Sequence, residues 1–251
     1  MKILVPTKSV PDPDQPIQLN ASATAVDLED VPRVINPFDA IALEEALRIR
    51  EEDRAGSGDV EVVAVGIGSS DCDKELRIAL ALDDNDADVH RVLAAVNVAH
   101  SDLKKAAYHQ ERGLALNHNN DLIVVQQGEL LTWLGEAEEG IKWIERAMRL
   151  NPFHPERFWG HLGRAHFVAH QYDEAVAALQ RLSAPDFAIH ALLAACHARL
   201  GDTESARQHA GLVRVQQPDF TLEDHLETLH YARNEDLQHY RESLELAGLS
   251  D

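Results

Sequence analysis

The sequence predicts an α/β N-terminal segment followed by an all-α solenoid, and three observations support this division. Strand-like apolar runs and most of the Pro and Gly residues outside helices lie before residue 84. All 14 histidines and 12 of the 13 aromatic residues follow that point. The second part repeats an apolar helical pattern every 34 residues. The segment 84–86 is therefore the predicted seam between 1–83 and the remainder of the chain.

The N-terminal segment alternates strand and helix patterns. A strand is predicted at Lys2–Val5, and a small surface hairpin is predicted around Ile17–Asp27. Asn36 and Pro37 favour the start of a helix, because Asn caps free N–H groups and Pro lacks the amide that would stay unpaired. A second strand at Val60–Val65 is followed by a helix to about residue 82. The order β-α-β-α predicts an incomplete parallel sheet, because no third strand follows.

Several motifs of this segment resemble the electron-transfer flavoprotein beta subunit, namely MKILVPTKSV, VPRVINPFDAIALEE, VEVVAVGIG and CDKELRIALAL. The resemblance covers about a third of the chain and stops near Asp83. It implies a site for AMP, a contact with FAD and a flavin-bearing alpha-subunit partner. The cofactor-binding residues implied in the same way are Pro6, Asn36, Pro37, Phe38, Asp39 and Ile67. The later strand, the phosphate-binding loop and the partner-docking loop of that family are missing, so a relic half-domain is an equally weighted alternative.

The C-terminal part aligns with itself as four units, 87–120, 121–154, about 156–186 and 187–220. In the second unit the repeating positions are Gly128, Leu131, Leu134, Gly135, Gly140, Ile144, Ala147 and Pro152. These units resemble the tetratricopeptide repeat (TPR), a helix–turn–helix of 34 residues in which small residues occur where two helices cross. Residues 221–251 are predicted to form capping helices over the last unit.

Two aromatic residues of the repeats are candidate partner-binding residues. Trp133 and Phe158 would line a groove that binds a protein or peptide, since aromatic residues are enriched at interaction hot spots. The alternative is that they belong to the core, as predicted for Trp143 and Phe167. His166 and His170 have the i, i+4 spacing of a metal pair, with His161 as a third ligand. Chance spacing among 14 histidines is the favoured explanation, so no metal site is predicted.

Composition excludes several classes of function. The formal net charge of −20 disfavours nucleic acid and anionic lipid as partners. No run of 18 apolar residues predicts a membrane-spanning helix, and the N-terminus lacks a signal-peptide pattern, so a cytoplasmic protein is expected. No nucleophile–base motif or phosphate loop with lysine occurs, so no catalytic residue is predicted and the protein is expected not to be an enzyme.

These observations leave alternative functions open. The first is a TPR interaction scaffold that carries a truncated nucleotide-binding segment similar to the electron-transfer flavoprotein beta subunit. The second is a beta-subunit-like electron carrier that works with a flavin-bearing alpha partner and docks through its TPR half. In further alternatives the N-terminal segment is a nucleotide-free adaptor, an unstable remnant or a fusion without a joint function. The exposed edges of a two-stranded sheet also predict that 1–83 completes its sheet on another chain or on the repeats.

Overall fold

The computed structural model describes residues 2–7, 9–11, 18–19, 26–27, 33–35, 45, 48, 61–66 and 85–250. The chain divides into two compact units, Met1–Leu93 and Ala94–Asp251. The other positions, among them Asn36, Pro37, Phe38, Asp39 and Ile67, lie outside the described residues.

The described strands of the first unit form three separate pairs. They are β1 (Lys2–Thr7), β2 (Ser9–Pro11), β3 (Gln18–Leu19), β4 (Val26–Asp27), β5 (Arg33–Ile35) and β6 (Glu61–Gly66). β1 pairs with β6 in parallel, from Lys2 opposite Glu61 to Thr7 opposite Gly66. The pairs β2–β5 and β3–β4 are antiparallel.

The predicted fold class, a parallel βαβα segment followed by a solenoid, is wrong as stated. The continuously described part of the chain, residues 85–250, is all-helical. The described strands give three two-stranded sheets, two of them antiparallel, and the described residues between β1 and β6 include helical positions only at 45 and 48. Apolar runs predict extended backbone, but they do not specify which runs join one sheet or what covers its faces.

Ten helices follow in residues 85–250. They are α1 (Ala87–Ala99), α2 (Leu103–Leu116), α3 (Asp121–Trp133), α4 (Ala137–Leu150), α5 (Arg157–Val168), α6 (Tyr172–Leu179), α7 (Phe187–Arg199), α8 (Thr203–Gln216), α9 (Leu222–Glu227) and α10 (Asn234–Leu246). The helices α1 to α8 form four successive pairs, each closed by a short turn. No helix in the described ranges is both long enough and apolar enough to cross a membrane.

The same turn closes all four helix pairs. One residue in each turn has a positive φ: 57° at Ser101, 81° at Gly135, 59° at His170 and 78° at Gly201. The amide of the next residue donates to a carbonyl five residues earlier, as Glu136 does to Leu131 at 2.8 Å. This bond satisfies a helix C-terminal carbonyl that has no partner within the helix. The recurrence of one turn geometry supports the predicted repeat pattern.

Glycines sit where the helices of a pair approach closely. A Cβ added at Gly128 on α3 would lie 2.5 Å from Ile144 Cγ1 and 2.6 Å from the carbonyl oxygen of Gly140 on α4. Gly163 on α5 stands equally close to Leu179 on α6. Only glycine allows the approach at Gly128, because any side chain would displace backbone of the partner helix. The predicted role of small residues at helix crossings is confirmed.

Candidate functional site

Side chains near the C-terminal ends of α1, α3 and α5, the first helices of three successive pairs, lie together in a region that we call the first-helix face. Its members in the second unit include Val98 from α1, Leu130 and Trp133 from α3, and Arg164 and Phe167 from α5. Val98, Leu130 and Trp133 belong to one cluster of buried apolar residues. Repeat folds commonly use such extended surfaces for binding.

An extended part of the chain itself lies on this face. Residues 229–233, here called the connecting segment, join α9 to α10 without helix or strand. Leu229 and Tyr231 pack against the cluster that contains Trp133. The segment therefore adds apolar contacts from a distant part of the sequence to the ends of α1 and α3.

Tyr231 is the aromatic anchor of the connecting segment. Its ring meets Trp133 edge-on, with ring centroids 4.9 Å apart. The guanidinium of Arg164 lies 4.9 Å from the Trp133 ring centroid, and Arg164 Nη1 donates to Tyr231 Oη at 3.4 Å. Burial raises the pKa of Tyr231, although the nearby Arg164 charge acts in the opposite direction. Cation–π and edge-to-face contacts of this kind gain strength when they are shielded from water.

Backbone and polar contacts hold the same segment. The amide of Ala232 donates to the carbonyl oxygen of Trp133 at 2.8 Å. That carbonyl is one of the last four of α3, which have no partner within the helix. His230 Nδ1 lies 3.1 Å from Ser101 Oγ in the turn after α1, and burial lowers the pKa of His230. The connecting segment thus contacts two helix pairs through its backbone and its side chains.

Helix α10 is also anchored on α7 and α5. Arg199 of α7 donates from Nε to Ser243 Oγ at 2.6 Å and from Nη2 to the Glu242 carboxylate at 3.2 Å. The Tyr240 ring, completely buried, lies edge-on to Phe167 with centroids 5.4 Å apart. Burial is the main cause that lowers the pKa of the neighbouring His239 to about 4. Tyr231 of the connecting segment packs against the same cluster, with the Tyr231 and Tyr240 ring centroids 6.5 Å apart.

Two buried polar atoms in this region are left without hydrogen bonds. Within the part of the chain that the structure describes, the indole nitrogen Nε1 of Trp133 has no acceptor and Asp236 Oδ2 on α10 has no donor. Burial raises the pKa of Asp236. Unpaired buried polar groups lower stability relative to a state that satisfies them. The internal arrangement around Trp133 is therefore incomplete in its hydrogen bonding.

The two predicted partner-binding residues occupy different environments. The Trp133 side chain is 5% exposed and is covered by the connecting segment. Phe158 is 0% exposed and lies in a core cluster with Val124 and Ile144, with the His154 ring stacked on it at 5.2 Å. Phe158 thus packs inside the protein in this structure instead of lining an open groove. The predicted core position of Phe167 is confirmed by its 1% exposure.

The three histidines considered as a metal group have separate partners. His161 Nδ1 lies 3.5 Å from Glu129 Oε1, His166 Nδ1 lies 2.7 Å from Gln171 Oε1, and His170 Nδ1 lies 2.8 Å from the Tyr172 hydroxyl. Across the described ranges, no group of three or more His, Cys, Asp or Glu side chains could hold a metal ion.

Cys196 and His209 show how burial affects the titratable groups of α7 and α8. Burial raises the pKa of the Cys196 thiol to about 12, so that this thiol stays protonated at neutral pH. Burial, together with nearby His190 and His197, lowers the pKa of His209 to about 4. His209 Nδ1 lies 3.0 Å from His190 Nδ1, so at most one of these two nitrogens carries a proton. Because the reactive form of cysteine is the thiolate, the buried and protonated Cys196 acts as an unreactive core residue in this structure.

Three residues of this region, Arg164, His230 and Tyr231, were not predicted from the sequence. Arg164 occupies a helix position with no distinguishing pattern. Tyr231 carries a usable signal, because a large aromatic residue stands in a short connection between two helices. Of the cofactor-binding residues implied by resemblance, the structure describes Pro6, whose backbone lies in β1 opposite Val65 of β6. The other five lie outside the described residues.

Comparison with known sequences supports the first resemblance over a short region. No protein-family model matches the chain. The electron transfer flavoprotein subunit beta of Bradyrhizobium diazoefficiens is 44% identical over 55 residues, which is 22% of each chain. The corresponding subunit of Dictyostelium discoideum is also 44% identical over 55 residues. The matched region spans about a fifth of the length of these curated relatives, at 22% of the first.

Comparison with solved structures shows the fold of the helical part. PilW, a type IV pilus biogenesis factor, superposes with a TM-score of 0.55 at 18% identity, covering 84% of this chain and 93% of that protein. The TPR protein TTC0263 of Thermus thermophilus gives 0.53 at 16% identity, over 81% and 98% of the two chains. Pseudomonas aeruginosa pilF gives 0.52 at 19% identity, over 83% and 88%. The chain thus combines a TPR-like helical solenoid with a short region similar to the electron-transfer flavoprotein beta subunit.

Proposed function

We propose that the protein is an interaction scaffold whose TPR-like part, residues 87–220 with the helices of 221–251, binds an extended segment of a partner protein. The observation that carries this proposal is that the first-helix face already accommodates an extended chain. The Ala232 amide bonds to the Trp133 carbonyl at 2.8 Å, and the Tyr231 ring packs on the Trp133 ring. A partner segment can use the same backbone and ring contacts.

The charge of the chain defines the partner further. A formal net charge of −20 repels acidic chains and attracts basic ones. The partner segment is therefore neutral or basic. The buried Trp133 ring and the Arg164 guanidinium 4.9 Å from its centroid favour an aromatic side chain at the centre of that segment.

Selection from a random peptide library tests this function. The full chain and its Tyr231→Ala variant are both immobilised, and the affinities of enriched peptides are measured by fluorescence anisotropy. Enriched peptides are expected to contain an aromatic residue and to lose at least about tenfold in affinity on Arg164→Gln, as hot-spot truncations do. The exposed Tyr108 on α2 provides the control variant Tyr108→Ala, which should leave affinity unchanged. Absence of enrichment on both proteins, or equal binding to Arg164→Gln, would contradict the proposal.

A second function is favoured by the 44% identity over 55 residues to electron transfer flavoprotein beta subunits. We infer that the predicted segment 1–83 binds AMP or contacts FAD, with a flavin-bearing alpha subunit as partner. The full chain is purified without added cofactor, and acid-released nucleotides are measured by mass spectrometry. Nucleotide near one per chain, lost when Asp39 is changed to alanine, supports this function. A chain that carries no nucleotide and binds neither AMP nor FAD on addition contradicts it.

A further inference from the structure

The chain's own connecting segment occupies the first-helix face and blocks access to it. The connecting segment covers Trp133 and the ends of α1 and α3. A partner cannot reach the Trp133 ring while Tyr231 lies against it with a centroid separation of 4.9 Å. Any ligand of this face must therefore compete with a part of the protein itself.

We propose that the connecting segment is an internal occupant of the partner-binding face, and that the cognate partner displaces it with an extended segment carrying a tyrosine-like ring and a hydrogen-bond acceptor for the Trp133 indole. This inference rests on the proposed scaffold function and adds both a regulatory step and a partner chemistry. The ring replaces that of Tyr231 beside Trp133 and Arg164. The acceptor meets an indole N–H that the internal segment leaves unpaired.

The connecting segment can detach from the first-helix face while the neighbouring helices stay folded. Its residues form no helix or strand, and Ala232 and Arg233 are exposed. Helix α10 on its C-terminal side keeps its own anchors, among them the 2.6 Å bond from Arg199 to Ser243. Release exposes Leu229 and Tyr231, which pack on two buried clusters, but a short segment without regular structure opens at lower free-energy cost than a packed helix. The connecting segment can therefore separate from the face while α10 stays in place.

The unpaired Trp133 indole N–H lets a partner form a hydrogen bond that the connecting segment does not form. The internal segment supplies a donor to the Trp133 carbonyl through Ala232 but no acceptor for the indole nitrogen, within the described part of the chain. A partner that supplies both satisfies one more buried polar group. A tethered segment also competes at an effective concentration of order mM. The internal occupant lowers the apparent affinity of every ligand of this face by the same factor, so the additional bond lets the cognate ligand remain tight enough to displace it.

A peptide copied from the chain itself serves as the probe. A fluorescent peptide with the sequence of residues 228–234, TLHYARN, is titrated with the full-length protein and its variants. The variant Tyr231→Ala removes the ring that anchors the internal segment. The variant Ala232→Pro removes the amide that donates to Trp133 and leaves that ring in place. The control variants are Tyr231→Phe, which keeps the ring, and Tyr108→Ala on α2, and helical circular dichroism verifies folding of each protein.

The expected result is weak binding of the probe to the wild-type chain and binding at least about tenfold tighter to Tyr231→Ala and Ala232→Pro, because the internal competitor is weakened. Tyr231→Phe and Tyr108→Ala should behave like the wild type. A probe with alanine in place of its tyrosine should not bind any of these proteins. Adding an amide acceptor beside the tyrosine of the probe should increase its affinity further.

Two results would overturn the proposal. Equal affinity of the probe for the wild type and both release variants would show that the connecting segment does not compete, while the face would still bind peptide. No binding of the probe to either release variant would show that the segment is not a mimic of the ligand. The proposed scaffold function is decided separately by the library-selected peptides, whose sequences do not depend on residues 228–234.

Discussion

Replacing Phe158 tests whether this residue belongs to the core of the TPR-like part. Its side chain is 0% exposed and lies in the cluster formed by α3, α4 and α5, with Val124 and Ile144. Phe153, five residues earlier in the connection that precedes α5, is 95% exposed. The two phenylalanines are a matched pair that differs in burial.

The expected magnitude follows from that burial. Truncating a fully buried phenylalanine to alanine removes apolar contacts and leaves a cavity, at a cost of about 3–5 kcal/mol in the free energy of unfolding. Typical domains have about 5–15 kcal/mol in total, so Phe158→Ala should unfold at much lower denaturant concentration. Phe158→Leu keeps most of the volume and should cost below about 1.5 kcal/mol. Phe153→Ala should change stability by less than about 0.5 kcal/mol.

Urea unfolding of the full chain, followed by circular dichroism at 222 nm, measures the stability of the helical part. The order of midpoints should be Phe153→Ala equal to wild type, then Phe158→Leu, then Phe158→Ala. Binding of a library-selected peptide is measured in parallel under native conditions and should be unchanged in Phe158→Leu. Equal midpoints for Phe153→Ala and Phe158→Ala, or a binding loss in Phe158→Leu without a stability loss, would refute the assignment of Phe158 to the core.

Three further predictions concern stability. A Cβ at Gly128 would lie 2.5 Å from Ile144 Cγ1, so Gly128→Ala should lower the free energy of unfolding by about 1–3 kcal/mol. Gly211 has open space around it, so Gly211→Ala should raise the free energy of unfolding by up to about 1 kcal/mol. Urea unfolding midpoints check both predictions. Asn120 Oδ1 caps α3 at 2.9 Å, so Asn120→Ala should cost about 1 kcal/mol in thermal unfolding. Burial lowers the pKa of His225 to about 4. Its neutral form therefore stabilises the fold above pH 6.5, and about 3 kcal/mol of the free energy of unfolding is lost as the pH falls from 6.5 to 4. An equally steep dependence of stability on pH in His225→Gln would contradict this prediction.

The repeat pattern could be predicted because it is local. Gly135 and Gly201 stand at equivalent positions, and both adopt a positive φ in the turn that closes a helix pair. Ser101 and His170 adopt the same conformation at 57° and 59° in the other two turns. The hydrogen bonds of the turn hold these two residues in a conformation that a residue other than glycine rarely adopts alone. The sequence therefore carries no glycine at these positions from which the turn could be predicted.

The candidate site could not be predicted to the same extent because it is non-local. The contact between Trp133 and Tyr231 joins residues far apart in the sequence, and neither periodicity nor propensity encodes such a pairing. The sequence marks Trp133 as a candidate partner-binding residue, but it does not indicate what covers that side chain. Phe158 illustrates the opposite difficulty, since an aromatic residue near a turn has the same sequence pattern whether it is buried or exposed.

The fold of the N-terminal unit shows a third difficulty. The apolar runs at Lys2–Thr7 and Glu61–Gly66 form strands that pair in parallel. The short strands β2 to β5 are too brief for a pattern of period two to predict their pairing. The predicted βαβα class failed at the level of sheet assembly, where contacts between distant segments determine the outcome.

Hydrogen exchange shows whether the connecting segment occupies the first-helix face. The amide of Ala232 donates to the Trp133 carbonyl at 2.8 Å, so exchange in residues 229–233 of the full chain should be slowed at least about tenfold relative to the Tyr231→Ala variant. Addition of a library-selected peptide should increase exchange at Ala232 while the amides of α3 stay protected. Exchange of residues 229–233 at the rate of an unstructured chain in the wild type, unaffected by Tyr231→Ala, would contradict the claim that this segment occupies the face.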